Sequence, residues 1–599
     1  MRIITGIPIF GGIASGDAFV IPDRPEYTIP KYALGPGEAE KDWERFLGAV
    51  KTVGEALEAE LLRTSGEGRL IFESHRMMLQ DTVFRDSLRV FFEQSGLNIE
   101  YALDRHLGAT TRILRGSNNP VFEERADDIT DVFGRVMQEL LGNEQFDFGR
   151  IPQGAIVAAR KLRPSDVPAL FKRRPGGLCL AEGGASGHLA ILTRACGIPA
   201  VFAVPNAHRV IPTGVKVILN GAEGKVYVEP GPQTAAGLLE QRRRDERLLA
   251  LFRDSRSKPC VTRDGRRIFL LANIGKGEEA LEALEEGADG IGLFRTEFLF
   301  MDERAWGRSP GGKLVHEDEQ YEAYKTVLEV MQGRPVTIRT LDAGGDKFVG
   351  SLGESPSGAP EENPLLGERS IRLTLRRPGL FKIQLRALYR ASVHGNLRIM
   401  IPLVVSLAEV TAVRRLIRNV QKQLAAENIP FNPKTPVGMM VETPAAALSS
   451  DAFARHCDFF SVGTNDLTQY SLGIDRENPA VSSLYDEYHL TVLRMIQITA
   501  GNALAAGIPV SVCGEMAGAP EGAAFLAGLG IDSLSMAAPL IPRIKHTLSL
   551  LSSPDLALLA REALAVHRGT SSFGTVRKLY KGLLAAGSAP EALRSAYDL

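Results

Sequence analysis

The spacing of apolar residues changes twice in the first part of the chain. Residues 1–22 alternate short apolar runs with glycines, which is typical of two strands and a turn. From Gly37 to about Gly142 apolar residues recur every three to four positions, which indicates amphipathic helices. Members of that helical pattern are Trp43, Phe46, Leu47, Val50, Val53, Leu57, Leu61, Val132, Phe133, Val136, Met137 and Leu140.

Short strand-like runs return after the helical stretch. Five of them, each bounded by glycine or proline, lie between Gly149 and Glu229: AIVAAR, GLCLAEG, PAVFAV, KVILNG and KVYVEP. A single amphipathic helix with the charged run RRRDER follows at 233–256. The pattern therefore predicts a helical bundle inserted into a small α/β domain, with a connecting helix behind it.

Beyond Lys258, apolar runs alternate with helical stretches. The runs are IFLLANI, GIGLF, VTIRTLD, LRIMIPL, VGMMVE, DFFSVGT, PVSVCG and SLSM. Eight nearly continuous apolar strands separated by helices are what a (β/α)₈ (TIM) barrel requires, because its strands are buried on both faces. We therefore predict a multidomain α/β protein that ends in such a barrel.

These changes of pattern place five segments along the chain. They are residues 1–30 with 145–230 for the small α/β domain, 33–143 for the inserted helical bundle, 231–261 for the linker helix, 262–575 for the barrel, and 576–599 for a helical tail.

Composition narrows the class of protein. The 599 residues carry 70 basic and 71 acidic side chains, so the net charge of -1 provides no field that would gather nucleic acid or an anionic membrane. No run of about eighteen apolar residues occurs. The five cysteines are widely spaced without a CxxC pair, which argues against disulfides and zinc. We expect a cytoplasmic protein that binds neither nucleic acid nor membranes.

Polar residues follow several predicted barrel strands, at the end where the active sites of such barrels lie. Arginines suit a phosphate or carboxylate, and carboxylates suit Mg²⁺. Salt bridges at the barrel rim are the alternative for any single charge. A lone cysteine is ordinarily inert, but at a strand end it could also donate a proton. The candidates are Arg295, Thr296, Glu297, Arg339, Asp342, Lys347, Glu442, Asn465, Asp466, Arg476 and Cys513.

His188 stands in a glycine-rich loop that leads into the apolar stretch LAILTRA. A loop before a helix N-terminus presents backbone N–H groups and the positive end of the helix dipole, which suits a phosphoryl group carried on imidazole. A purely structural histidine is the alternative. Metal binding is not favoured, since no second histidine stands at ligand spacing.

Taken together, the chain resembles Enzyme I of the bacterial phosphotransferase system, the phosphoenolpyruvate-protein phosphotransferases within the PEP-utilising enzymes. ESHRMMLQD and ERADDITDVFGR also resemble the part of that family that docks the histidine phosphocarrier. The resemblance is carried, in the family's order, by GGASGHLAILTRACGIPA, GADGIGLFRTEFLFM, RTLDAGGDK, ENPLLGERSIR, MMVETPAAA, SVGTNDLTQYSLGIDREN and SVCGEMAG.

The resemblance implies a role for each candidate. His188, in a swivelling phosphohistidine domain, would receive the phosphoryl group of phosphoenolpyruvate (PEP) and pass it to the phosphocarrier. Cys513 would protonate the enolate of pyruvate. Mg²⁺ would bind at Glu442 and Asp466, and a homodimer would form through the barrel. The residues that would hold PEP are Arg295, Arg339, Asn465, Asp466 and Arg476.

The chain departs from the family pattern in a few places. Ser186-Gly187 stands where Thr-Ser is common, Arg163 replaces a threonine, and Glu368 replaces a tryptophan, while 305–315 reads as an inserted loop. The alternatives to an enzyme of sugar uptake are a nitrogen-regulatory paralogue, a PEP synthase or pyruvate phosphate dikinase relative, and a PEP-sensing scaffold without catalysis. Against the dikinase relative, no Walker-type phosphate loop occurs in the sequence.

Overall fold

The computed structural model describes residues 1–22, 29–35, 37–61, 67–116, 120–142, 146–162, 166–184, 188–301, 316–343, 363–476, 478, 480–566 and 571–586. The chain divides into two units, Met1–Arg243 and Arg244–Leu599. The division falls within α9 (Pro232–Asp254), the helix that the charged run predicts. The boundaries of the five predicted segments stay predictions.

The first unit is built on an eight-stranded sheet in the order β1-β8-β7-β3-β4-β5-β6-β2. Its centre, β3 to β6, is parallel, and the flanking pairs are antiparallel. The strands are β1 Arg2–Thr5, β2 Ile7–Phe10, β3 Ile13–Val20, β4 Ile156–Ala159, β5 Gly177–Leu180, β6 Ala200–Phe202, β7 Lys216–Asn220 and β8 Lys225–Val228, and short helices α6 Val167–Lys172, α7 His188–Ala195 and α8 Ala207–Val210 connect them.

A bundle of helices is inserted between β3 and β4, as the sequence predicts. Its aromatic core includes Phe46, Phe92 and Phe133, all buried. Leu47 is 40% exposed, because it follows Phe46 by one position and so turns away by about 100°. The helices are α1 Glu38–Leu61, α2 Glu67–Leu79, α3 Thr82–Ser95, α4 Ile99–Arg115 and α5 Pro120–Leu141.

One buried hydrogen bond joins the two segments of the bundle that resemble a carrier-docking region. His75 of α2 and Asp128 of α5 are 3.3 Å apart between Nε2 and Oδ1, and both are buried. A buried polar pair of this kind is costly unless its partners meet, so it fixes the register of the two helices.

The second unit contains a closed barrel of eight parallel strands, β9 to β16 in chain order, which confirms the predicted fold class. The strands are β9 Phe269–Ile274, β10 Ile291–Arg295, β11 Pro335–Arg339, β12 Asn396–Ile401, β13 Val437–Val441, β14 Phe460–Val462, β15 Val510–Val512 and β16 Ser533–Ala537. Inside the barrel, Leu293, Met400, Met440, Phe459 and Cys513 form one apolar cluster.

Helices surround the barrel strands and bury their apolar faces against them. The last described helix also packs here, through Val576, Tyr580 and Leu584. No helix in the described part of the chain is long and apolar enough to cross a bilayer. The barrel unit's helices are α10 Glu279–Glu285, α11 Glu297–Met301, α12 Glu317–Val330, α13 Ser370–Arg376, α14 Pro378–Ala391, α15 Leu407–Ala426, α16 Pro444–Leu448, α17 Ser450–Phe453, α18 Thr464–Leu472, α19 Leu490–Ala506, α20 Pro520–Gly528, α21 Ile541–Ser549, α22 Ser553–Leu564 and α23 Phe573–Ala586.

Candidate active site

The predicted barrel residues collect at one mouth of the barrel. Arg295 ends β10, Arg339 ends β11, Glu442 follows β13, and Cys513 follows β15. Because the strands are parallel, their carboxyl ends share that mouth. Thr296 and Glu297 directly follow Arg295, and Asp342 follows β11. Three further candidates come after β14: Asn465 and Asp466 in the first turn of α18, and Arg476 in the loop after it.

Arg339 is the centre of a buried ion-pair network. Its Nη2 lies 3.0 Å from Glu297 Oε1, and its Nη1 lies 2.8 Å from Asp342 Oδ2. The backbone N–H of Asp342 also donates to Glu297 Oε1, at 3.0 Å. The buried Nε of Arg339 has no hydrogen-bond partner among the described residues. This guanidinium is therefore fixed by two carboxylates and keeps one donor unused.

Arg369 holds the other side of Asp342. Its Nη2 donates to Asp342 Oδ1 at 3.1 Å. Burial by itself would raise the pKa of Asp342, but the charges of Arg339 and Arg369 outweigh it and lower that pKa. Burial raises the pKa of Glu297, which shares Arg339 with Asp342. Asp342 is therefore the firmly ionised partner in this network.

Glu442 is buried with one oxygen unused. Its Oε1 accepts the N–H of Leu403 at 2.6 Å, while Oε2 has no hydrogen-bond partner in the described structure. Burial, followed by the charges of Asp466 and Asp342, raises its pKa well above the ordinary value. A Cβ at Gly463 would lie 3.1 Å from that Oε2, so glycine leaves room beside it. The excess of negative charge here is what a cation would offset.

Asp466 and Arg476 form a looser pair at the same mouth. Arg476 Nη1 lies 3.4 Å from Asp466 Oδ1, and the side chain of Arg476 is 37% exposed. Arg295 is exposed and makes no hydrogen bond or ion pair with any described residue. Two guanidinium groups are thus open to a ligand, beside the fixed guanidinium of Arg339.

Asn465 is held from three directions. Its Nδ2 donates to Glu515 Oε1 at 3.3 Å, and its Oδ1 accepts the N–H of Glu515 at 2.9 Å. The hydroxyl of Tyr485 donates to the backbone oxygen of Asn465 at 3.1 Å. These contacts fix the start of α18, and with it the direction of the neighbouring Asp466.

Cys513 lies buried at the barrel mouth, directly after β15. Its Sγ lies 3.7 Å from the carbonyl oxygen of Val462. Burial raises the pKa of its thiol to about 11, although Arg339 and Arg295 lie near enough to lower it somewhat. The thiol is therefore protonated at neutral pH, the state that a proton donor needs.

This raised pKa predicts slow alkylation. At pH 8 Cys513 should react with iodoacetamide at least ten times more slowly than an unstructured cysteine peptide, because only the thiolate attacks and burial keeps it scarce. Mass spectrometry of peptides sampled over time measures the rate. Cys196, which is exposed although burial also raises the pKa of its thiol, serves as the internal comparison beside the free peptide. Equal rates at Cys513 and the free peptide would contradict the assigned protonation state.

The carboxylates at the barrel mouth suit Mg²⁺ better than they suit zinc. Mg²⁺ takes one or two carboxylates and completes its shell with water and substrate phosphate. Glu442 offers a buried, unused oxygen, and Asp466 stands near enough to raise the pKa of Glu442. In the described part of the chain no group of three or more His, Cys, Asp or Glu side chains is arranged to hold a metal by itself.

The phosphohistidine candidate belongs to the first unit. α7 begins at His188 itself, one residue before the predicted helical stretch LAILTRA, and the side chain of His188 lies outside the described side chains. Four other features of the sequence analysis also lie outside the described residues: Ser186-Gly187, Arg163, Lys347 and the predicted insertion 305–315.

Sequence reasoning missed the partners that orient this site. Arg369 and Glu515 stand in quoted motifs, yet no spacing rule links them to Asp342 and Asn465. Glu368, one of the positions at which the sequence departs from the pattern that it resembles, lies 2.9 Å from Arg376 Nη1 through its Oε2.

Models of the PEP-utilising enzymes match most of the chain: the N-terminal domain at residues 5–125, the mobile domain at 151–224 and the PEP-binding domain at 250–552. The phosphoenolpyruvate-protein phosphotransferase of Bacillus sp. (strain S) is 37% identical over 97% of this chain and 98% of its own length. The chain belongs to this family.

Other members cover the chain to a similar extent. The phosphoenolpyruvate-protein phosphotransferase of Bacillus subtilis (strain 168) is 35% identical over 97% of this chain and all of its own length, and that of Haemophilus influenzae is 34% identical over 94% and 96%. The family, the fold class and the class of enzyme, a phosphotransferase, are thereby confirmed as the sequence predicts.

Proposed function

We propose that the chain takes the phosphoryl group of PEP onto His188 and passes it to a histidine of a small phosphocarrier protein. The observation that carries this proposal is the convergence of Arg295, Arg339 and Arg476 with unused carboxylate oxygen at one barrel mouth. A phosphate and a carboxylate on one small substrate need several guanidinium donors, and a bridging cation needs hard anions.

In the proposed reaction the bond between phosphorus and the enol oxygen of PEP breaks, and a bond between phosphorus and an imidazole nitrogen of His188 forms. The arginines bind the phosphate and carboxylate. The thiol of Cys513 gives its proton to the methylene carbon of the enolate, which becomes pyruvate, and recovers a proton from solvent. Mg²⁺, held by Glu442 and Asp466, would supply charge neutralisation at the phosphate.

The test of this function is direct labelling. The protein is incubated with Mg²⁺ and radiolabelled PEP, and the product is treated with acid and with alkali. Label that is lost in acid and kept in alkali indicates phosphohistidine and supports the proposal. Absence of label under turnover conditions would favour a PEP-sensing scaffold, the alternative without catalysis.

The helical bundle is the proposed docking site for the carrier, because two of its segments resemble the carrier-docking part of the family. Met77 and Val83, in and just after the ESHRMMLQD segment, are 55% and 75% exposed, so a docked partner could reach them. We further propose that the transfer takes place in the cytoplasm and is the first step of sugar uptake. Two copies of the chain would associate through their barrels. Light scattering of the purified chain tests the dimer.

Loss of either proposed metal ligand should raise the Mg²⁺ requirement. Glu442→Gln and Asp466→Asn each remove one anionic ligand, and we expect the Mg²⁺ concentration for half-maximal activity to rise at least tenfold. Titration of initial rates with Mg²⁺ measures the change. Asp451→Asn, at an exposed position of α17 in the same unit, is the control. Unchanged titrations in both site variants would make these carboxylates partners in rim salt bridges instead.

A further inference from the structure

A second concave surface lies at the other end of the barrel, where the strands begin. It is an open groove with a volume of about 460 Å³ between α14, α15 and the segment that leads into β13. Val437 begins β13 and Asp458 stands just before β14, so this pocket opens at the N-terminal end of the strands, away from the active-site mouth. Its volume falls within the range of about 300–1,000 Å³ that is usual for small-molecule sites.

Cationic side chains line this pocket from two sides. Arg414, Arg418 and Gln421 are spaced by four and three residues on α15, so they share one face of that helix. Lys434 belongs to the returning segment that forms another side of the same pocket. Tyr389 of α14 also borders the pocket, but it is only 1% exposed and so forms part of its buried wall.

Internal partners neutralise only part of this charge. Asp458 is the single acidic residue among the lining residues. Its Oδ2 lies 2.7 Å from the N–H of Val437 and 3.3 Å from Arg414 Nη2, and Arg414 Nε donates to the carbonyl oxygen of His456 at 2.8 Å. Arg414 and Asp458 therefore satisfy each other.

The other two cations have no such partner. The side chains of Arg418 and Lys434 make no ion pair or hydrogen bond with any residue that the structure describes. Both side chains are exposed to solvent, so a dissolved anion can reach them. An anion placed between Arg418 and Lys434 would offset both charges, and the guanidinium geometry suits phosphate oxygens.

We propose that this pocket, defined by Arg414, Arg418, Gln421, Lys434 and Tyr389, binds a small phosphorylated metabolite. The ligand's phosphate would lie between Arg418 and Lys434, and its organic part would lie toward Gln421. The site is separate from the residues of the barrel mouth. It therefore does not rest on the proposed phosphotransfer and would persist in an enzyme inactivated at His188.

Calorimetric titration of the full chain tests the proposal with two probes, inorganic pyrophosphate and a hexose monophosphate. Arg418→Ala with Lys434→Ala removes the two unpaired cations. Arg415→Ala with Lys422→Ala removes the same charge from α15 without touching the pocket lining. The active-site arginines bind phosphates equally in all three proteins, so that component is common to them.

We expect the wild type and the Arg415/Lys422 control to bind a probe at two classes of site. In the Arg418/Lys434 variant one class should disappear or weaken at least tenfold. The tighter probe shows whether the site recognises phosphate alone or its organic substituent. Hydrogen exchange should slow at residues 431–436 in the wild type when the probe is bound. One class of site in all three proteins, or equal weakening in both double variants, would overturn the proposal.

Discussion

Replacement of His188 by alanine is expected to abolish labelling of the protein by PEP, with less than about a thousandth of the wild-type incorporation remaining. The imidazole is the proposed nucleophile, and alanine offers no atom to carry the phosphoryl group. Binding of PEP should stay within about twofold of the wild type, because every proposed substrate contact belongs to the barrel unit.

Both quantities can be measured on one preparation. Incorporation of label is followed after acid and alkali treatment, and PEP binding is followed by calorimetry in the presence of Mg²⁺. His106→Ala is the matched control, since His106 is a partly exposed histidine of the inserted bundle whose Nε2 contacts Ser87. Label retained on the His188 variant would place the nucleophile elsewhere, and lost PEP binding would refute the separation of nucleophile and substrate pocket.

The strands of the barrel could be predicted because the apolar character of each strand is visible in its own residues. A strand covered on both faces must be apolar at nearly every position, so VGMMV and PVSVC stand out in the sequence. The end of each run then locates the mouth, and Arg339, Glu442 and Cys513 follow without further knowledge. The helical pattern of the bundle is less exact, since it includes Leu47 although that side chain is 40% exposed.

The partners in the site could not be predicted, because they meet through the fold. Asp342 is held by Arg369, 27 residues further along the chain, and Asn465 is held by Glu515, 50 residues further. Nothing in either local segment requires that contact. Sequence patterns therefore identify the groups that face a ligand, while the side chains that fix their direction emerge only from tertiary structure.

Two arginines at the mouth should respond differently to loss of charge. Arg339→Met leaves Glu297 and Asp342 buried without their shared cation, which should lower the free energy of unfolding by about 3–5 kcal/mol. Arg295→Met removes an exposed side chain without a described partner, so stability should change by no more than about 0.5 kcal/mol. Both variants should lose activity, since each proposed donor binds the substrate's anionic groups.

We expect kcat/KM to fall by about 10²–10³-fold in Arg295→Met and at least as far in Arg339→Met, the range that loss of one preorganised donor commonly produces. Arg386→Met is the control for stability. Arg386 pairs with Glu317 and Glu427 on the barrel's outer helices, so its loss should weaken the fold while leaving kcat/KM within about threefold. Denaturant unfolding and steady-state pyruvate release measure the two effects.

The three variants together separate folding from catalysis. If Arg339 acts only as a structural cation, Arg339→Met should resemble Arg386→Met, with reduced stability and nearly normal turnover of the folded fraction. If Arg295 lies outside the substrate's reach, Arg295→Met should be normal in both measurements. The proposed site requires instead that activity falls in both mouth variants while stability falls in only one of them, because substrate anions contact both guanidinium groups but only Arg339 is also held by buried carboxylates.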